Sequence, residues 1–414
     1  MVFDVSVTVR PEQEHDIPYI RRLAAQKAGC SVSDISACVF RKRSVDARRG
    51  TVKLHLRYTV YIGETPEPAA LPEWRYADAD RRVIVIGCGP AGMFACLRLL
   101  EDGITPVLIE RGPRTDRRRG GIAALMRGEH VPADSNYCFG EGGAGTFSDG
   151  KLYTRSTKRG DTQKILRILH HFGAPESILT DAHPHVGSDK LPAVITALCG
   201  AAASFGGELH FNSRCTGLLR DTDGCVCGVE VTDTDTGALR RVYGEAVILA
   251  AGHSANDIYR MLGTCAPRCL EPKTFAAGVR VEHPRALIDM IQYHGKTDGL
   301  PAAEYRLTAQ AGNRGVYTFC MCPGGFVVPA MSGAGEIVVN GMSASGRDSR
   351  WSNAAVVAEI RPEDVPAILA ELPPADDAVT AAPLTERLPG GLLLRTRIEQ
   401  SAWEHGEGLR APAQ

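Results

Sequence analysis

The chain has 414 residues, 44% of them hydrophobic, enough to bury a large core in two or three domains. Its 47 Lys and Arg balance 48 Asp and Glu for a formal charge of -1, which argues against a nucleic-acid coat or a membrane-surface protein. No run of about 18 uncharged apolar residues occurs and Met1-Val-Phe-Asp4 lacks the regions of a signal peptide, so cytoplasm is the expected compartment.

Residues 1–76 read as a small α+β domain and linker. Val5, Val7 and Val9 alternate as a strand, Ile17 to Ala28 has helical spacing stopped by Gly29, and Val39-Phe40 and Val52 to Ile62 alternate again. Arg41, Lys42 and Arg43 form a basic patch that could meet phosphate, although a solvated strand end is the simpler reading. Pro66, Pro68 and Pro72 mark the linker.

Residues 77–265 read as a dinucleotide-binding domain. Val83 to Ile86 is an apolar, β-branched run suited to a buried parallel strand, and Gly87, Gly89 and Gly92 supply G-x-G-x-x-G spacing. The first glycine permits the tight turn, the second lets backbone approach a pyrophosphate, and the third lets the next helix pack closely. Phe94, Leu97 and Leu100 give that helix its apolar face, Asp102-Gly103 closes it, and a second strand ends in Glu110, an acid placed to accept from a ribose.

The Arg- and Gly-rich run 111–121 breaks a simple βα alternation. Phe139 to Lys151 then holds five glycines among apolar anchors, a loop able to lie against something flat or anionic, with Lys151 adding a charge. Asp161 is a helix N-cap, a second helix covers about 191–205, and a β-meander is expected over 208–211, 215–220, 225–231 and 239–243. Ala246 to Gly252 returns to the first sheet. Residues 266–414 read as a substrate domain, with strands at 275–282, 316–322, 325–329 and 336–340 in one second sheet; 361–385, rich in Ala and Pro, reads as surface helix and loop.

Thirteen scattered cysteines, an odd number, read as reduced thiols. Neither C-x-C pair, Cys225/Cys227 or Cys320/Cys322, has a partner cluster at zinc spacing, so no metal is expected.

A single fingerprint, a meander interrupting the fold and a second glycine loop favour FAD over NAD. Gly87-Cys-Gly-Pro-Ala-Gly92, Glu110-Arg-Gly112, the 139–152 block, His183-Pro-His-Val-Gly187, Gly252-His-Ser-Ala255, Gly278 to Pro284, Tyr317 to Gly325 and Asn340-Gly-Met-Ser343 resemble a bacterial family of uncharacterised FAD-dependent dehydrogenases. Arg43 to Arg48 is similar to it as well, and the likeness covers nearly the whole chain.

The resemblance implies an α/β, Rossmann-like FAD domain of glutathione-reductase-2 type interleaved with an α+β substrate domain, after a βαββ-like N-terminal unit. It implies that Gly87, Gly89, Pro90, Ala91 and Gly92 face the pyrophosphate and that Glu110, beside Arg111, faces the ribose. Arg118 matches the family's phosphate-contacting arginine, within the run Arg117 to Arg119. Gly142, Gly143, Ala144, Gly145 and Thr146 border the flavin near Lys151, and Ala251-Gly252 close against the cofactor. The family's chains run on into a Gly-Glu-Gly block, whereas this sequence stops at Gln414, so looser flavin retention is expected.

The implied activity is two-electron transfer at FAD on a small substrate, with NAD(P)H as a possible transient donor. Cys320 and Cys322 are candidate redox thiols and also read simply as small apolar side chains; His253 is a candidate general acid or phosphate donor, or a satisfied loop histidine. Arg280, Glu282 and His283 suit a substrate anion or a salt-bridged strand. The alternatives are an RNA-associated or structural flavin protein, with RNA on the basic patch, and an NAD-only dehydrogenase.

Overall fold

The computed structural model of the chain describes all residues except 49, 68, 128, 130–132, 155–159, 296–297, 373–389 and 409–414. The N-terminal unit runs β1 (Val2–Val9), α1 (Ile17–Ala28), β2 (Ile35–Asp46) and β3 (Lys53–Ile62), in an antiparallel sheet of order β1-β3-β2. Val5, Val7 and Val9 bury alternate positions opposite Leu54, Leu56, Tyr58 and Val60, and Ile20, Ala24 and Ala25 of α1 cover that face. Asp16 caps α1 by accepting from Tyr19 N at 2.9 Å, and Gly29 ends it at a φ of 71°. Arg41 donates to Thr59 and Tyr61, and Arg43 donates to both oxygens of Glu14 and to Gly299 O.

Among the described residues of 63–77 there is neither helix nor strand. Arg75 N bonds Leu100 O and Ala77 N bonds Phe205 O, while the Trp74 ring packs on His171, Phe172 and Phe205. The segment is thus laid onto the next layer.

That layer contains β4 (Asp78–Ile86), α2 (Pro90–Glu101), β5 (Ile104–Ile109), α3 (Thr115–Met126), α4 (Thr162–His171) and α5 (Leu191–Ser204). It continues through β6 (Glu208–His210), β7 (Ser213–Arg220), β8 (Val226–Asp233), β9 (Leu239–Tyr243) and β10 (Ala246–Leu249). The central sheet has the order β10-β4-β5-β6, all parallel. Val83 to Ile86 are buried between α2 and α5 on one face and the β7-β8-β9 meander with the following helix on the other.

Two expectations change here. Glu208–His210 pairs with Val107–Ile109 rather than opening the meander, because α5 carries the chain back over the sheet to its edge, where Arg82 also holds Glu208 at 2.9 Å. The Arg- and Gly-rich run is partly helical: α3 winds through Gly120 and Gly121, anchored by the buried Arg118 side chain.

The remaining elements are α6 (Asn256–Cys265), β11 (Phe275–Pro284), α7 (Arg285–Tyr293), β12 (Thr308–Ala311), β13 (Arg314–Cys322), β14 (Gly325–Ala330), β15 (Val338–Ser343), β16 (Trp351–Ile360), α8 (Val365–Glu371) and α9 (Gly390–His405). The expected single sheet is two: β11-β16-β13-β12 antiparallel, and a separate β14-β15 hairpin. Strand β16 fills the centre of the larger sheet although Ala354, Ala355 and Ala358 give it no apolar alternation; pairing on both edges, not propensity, makes it a strand. Of the Ala- and Pro-rich stretch, α8 is described, and the part from 373 lies outside the described residues. Among the described residues no helix is long and apolar enough to cross a membrane, and no group of three or more His, Cys, Asp or Glu could hold a metal.

Candidate functional site

The first βα turn is built from three glycines with three different constraints. Gly87 has a φ of 101°, and a Cβ there would lie 2.5 Å from Ala250 O on the return strand. At Gly92 a Cβ would meet Gly87 O at 1.8 Å, so only glycine lets α2 sit on the turn. Gly89, the N-cap of α2, has nothing within 4 Å of its Cβ position. Pro90 follows at the first helical position, where no intrahelical N–H is lost. The turn is therefore closed on the protein side and open at Gly89, where the helix directs its unpaired N–H groups and positive dipole end.

Glu110 is buried directly after β5, and its carboxylate accepts N–H from Cys88 at 2.7 Å, Gly112 at 2.9 Å and Gly140 at 2.8 Å. A carboxylate has about four lone-pair sites, so the three amide bonds leave capacity for a ribose hydroxyl. Arg111 instead bonds Asp134 at 2.5 Å and Asp257 at 3.0 Å, stacked over Phe139.

The second glycine loop lies on the first. A Cβ at Gly143 would be 2.9 Å from Gly89 Cα, and Gly143–Gly145 forms a short 3-10 turn. Arg118 organises this loop from α3: its guanidinium donates to Glu141 O, Thr146 Oγ1, Asn136 O, Tyr137 O and Gly143 O. Burial pushes its pKa down to about 10, so the group stays a cation. Arg117 and Arg119 face solvent, and Arg118 is the buried member of the run. Sequence reasoning missed Glu141, a buried carboxylate that accepts from Thr115 N and Oγ1 at 2.8 and 2.6 Å; nothing in its spacing distinguishes it.

The loop ends at Lys151, which reaches the β11-β16-β13-β12 sheet. Its Nζ lies 2.6 Å from Asp149, 3.2 Å from Cys322 Sγ and 3.9 Å from Cys320 Sγ. Burial opposes the Lys151 charge, but Cys322, Asp149 and Cys320 together raise its pKa. Asp149 is shared with Arg347, at 2.7 and 3.2 Å, and Arg347 reaches Glu304 at 2.6 Å. Against the effect of burial, His183 and Arg347 hold the Glu304 carboxyl down to about 2. Arg347 and Glu304 were also illegible in the sequence, since each lies more than 150 residues from Lys151.

Of the other candidates, Arg280 bonds Asn353 at 2.5 Å and Cys320 O at 3.3 Å, beside the thiols. Glu282 is exposed, and His283 bonds the Tyr305 hydroxyl at 2.8 Å instead. Ala251 and Gly252 follow β10 beside Gly87. His253 is exposed there, and its carbonyl accepts from Arg395 at 2.5 Å. Cys225 is exposed and Cys227 half-buried on β8, away from this cluster.

A parallel sheet with a glycine turn open at Gly89, an acid with spare acceptor capacity at the next strand end, and a second glycine loop against both define an FAD-binding α/β oxidoreductase of the glutathione-reductase-2 type. The family model described as an FAD binding domain matches residues 82–137, and the one described as an FAD-dependent protein, C-terminal domain-like, matches 274–414. Residues 1–61 match a domain of unknown function. An uncharacterised protein of Clostridium beijerinckii is 36% identical over 372 residues, 85% of this chain and 68% of that protein. The chain belongs to that protein's family, one of FAD-dependent proteins, and its cofactor is FAD.

Solved structures with likeness include THI4 of Thermovibrio ammonificans (16% identical, TM-score 0.31, covering 46% of this chain and 64% of that one). Another is the glycerol-3-phosphate dehydrogenase from Bacillus halodurans complexed with FAD (11% identical, TM-score 0.34, covering 68% and 48%). This chain spans less than two thirds of either.

Proposed function

We propose that the protein transfers two electrons, as hydride, between FAD and a small molecule bound where the second glycine loop meets the β11-β16-β13-β12 sheet, with NAD(P)H as a transient donor. The observation that carries this reading is the course of loop 139–151. Gly143 touches the open glycine turn, and Lys151 touches the substrate-domain strand β13. One continuous loop thus links the cofactor's phosphate end to a polar, partly exposed cluster.

In this reading Gly87 and Gly89 to Gly92 take the pyrophosphate through backbone N–H groups, and Glu110 accepts from the ribose with its remaining lone pair. Arg118 acts at one remove, holding the carbonyls of 136–143 so that Gly142 to Thr146 border the ring. Ala251-Gly252 close the site from the return strand. FAD supplies a two-electron acceptor and donor at its ring. Lys151 and Arg280 supply positive charge for an anionic or polarised substrate group, and the Asp149–Arg347–Glu304 bridge keeps the two layers in register. The engagement of Arg41 and Arg43 within the fold supports a small-molecule substrate over RNA.

The test is the absorbance spectrum of the purified protein, followed by anaerobic titration with NADH and NADPH. Bound oxidised flavin bleached by either nucleotide is the expected result. A colourless protein that cannot be loaded with FAD would overturn the site assignment, and flavin inert to both nucleotides would remove NAD(P)H as donor.

A further inference from the structure

Strand β13 is irregular where it carries its two cysteines. Phe319 pairs with Ala355 and Cys322 with Asn353, so three steps on β13 oppose two on β16, a bulge of one residue. Within it Cys320 has a φ of 48°, a left-handed conformation a non-glycine residue rarely holds without compensation. A regular strand would separate residues 320 and 322 by about 6.6 Å along its axis, near the outer limit for a disulfide. The bulge bends the strand at this point, and both sulfurs lie near Lys151 Nζ, at 3.9 and 3.2 Å. Gly341 makes room behind them, since a Cβ there would lie 2.8 Å from Cys322 Sγ and 2.3 Å from Arg280.

The two thiols differ in access. Cys320 is exposed and Cys322 is fully buried. The hydrogen bond from Cys322, then Lys151 and Arg280, pull the Cys320 thiol well below its usual range, whereas the same pairing and burial push Cys322 up. The sulfur that solvent and reactants can reach is therefore that of Cys320, with the buried Cys322 thiol behind it.

We propose that Cys320 and Cys322 form a redox-active dithiol whose substrate is a low-molecular-weight disulfide, Cys320 attacking and Cys322 resolving. The Cys320 thiolate attacks one sulfur of R–S–S–R; a Cys320–S–R bond forms, the R–S–S–R bond breaks and RS⁻ leaves. Cys322 then attacks the Cys320 sulfur, an intramolecular disulfide forms, and the second RS⁻ departs, one of the two leaving thiolates taking the Cys322 proton. The protein loses two electrons and the external disulfide gains them. Lys151 and Arg280 position charge and do not accept the Cys322 proton. The step goes beyond the flavin reading and is independent of it, since it needs no bound cofactor.

The experiment uses the full chain, reduced and desalted, and reads sulfur directly. At pH 7 iodoacetamide should label Cys320 about tenfold faster than the exposed Cys225, because an ordinary thiol is only a few per cent ionised there and a thiolate of lowered pKa is somewhat less nucleophilic. Oxidised glutathione should convert Cys320 and Cys322 to an internal disulfide, two hydrogens lighter by mass, before other cysteines react. Buried Cys88 and Cys199, whose sulfurs lie 3.7 Å apart, serve as the internal control. C322S should trap glutathione on Cys320. K151M and, at a second site, R280Q should each slow Cys320 labelling several-fold and leave Cys225 unchanged. Labelling of wild-type Cys320 at the Cys225 rate, or a mixed disulfide that persists without closing onto Cys322, would overturn the proposal whatever the variants do.

Discussion

The carboxylate of Glu110 accepts the backbone N–H of Cys88 at 2.7 Å, so the acid that ends the second parallel strand is bonded to the middle of the glycine turn that ends the first. The same carboxylate holds Gly112 and Gly140, which ties the turn, the strand end and the second glycine loop to one buried charge. Glu110→Gln would turn an amide N–H₂ toward backbone donors. The expected outcome is a loss of about 1–3 kcal/mol in stability together with weaker FAD retention, read by denaturant unfolding and flavin fluorescence titration. Unchanged stability and affinity would remove Glu110 from its central role.

The glycines of the turn separate folding from binding. Gly89 has a φ of -72° and open space, so Gly89→Ala should change stability by less than about 0.5 kcal/mol. Its methyl group would occupy the approach to the pyrophosphate, and FAD affinity should fall at least about tenfold, or 1.4 kcal/mol. Gly92→Ala meets Gly87 O and should destabilise the domain itself. Thermal melts with and without added FAD distinguish the two; a Gly89→Ala protein that binds FAD normally would count against the placement of the pyrophosphate.

Arg118 is a cation buried among carbonyl oxygens. Arg118→Met leaves those acceptors unpaired and should cost about 3 kcal/mol or more, and Arg118→Lys should recover little of it, because a single ammonium cannot reproduce the planar fork. Protease cleavage within 136–147 offers a local readout. Cleavage no faster than wild type would show that the loop holds itself.

One pH dependence comes from the buried acid Glu336. Burial, then the neighbouring Glu399, raises the Glu336 pKa from 4.5 to about 7. The folded state therefore keeps a proton that the unfolded chain has released, and stability falls as pH rises from about 4.5 to 7. Glu336→Gln should remove this loss, giving a gain over wild type on the order of 2–3 kcal/mol at pH 8 that shrinks toward pH 5. Unfolding midpoints of both proteins across that range check the sign; a constant difference would assign the effect to packing.

The glycine turn and its acid were legible because they depend on local sterics within about 30 residues. Gly87 takes a positive φ and Gly92 must clear Gly87 O, and strand, turn, helix and strand are read from their spacing. The N-terminal βαββ unit was legible for the same reason, with alternation and a capped helix over short separations. The choice of FAD rested on the single fingerprint, the interrupting meander and the second glycine loop, together with longer blocks of likeness.

What folding alone decided was everything held by long-range partners. The Glu208–His210 segment joined the parallel sheet because α5 delivers it to β5, and Ala-rich β16 became the central strand because β11 and β13 pair with its two edges. Likeness singled out Arg118 from its run of three arginines, but its bonds to the loop carbonyls exist because helix phase turned it inward. Lys151 met Cys320 and Cys322 across 169 and 171 residues. A pattern of residue types records which face of its own element a side chain takes; which distant charge it meets is settled only when the layers close and burial makes each unpaired ion too costly to leave alone.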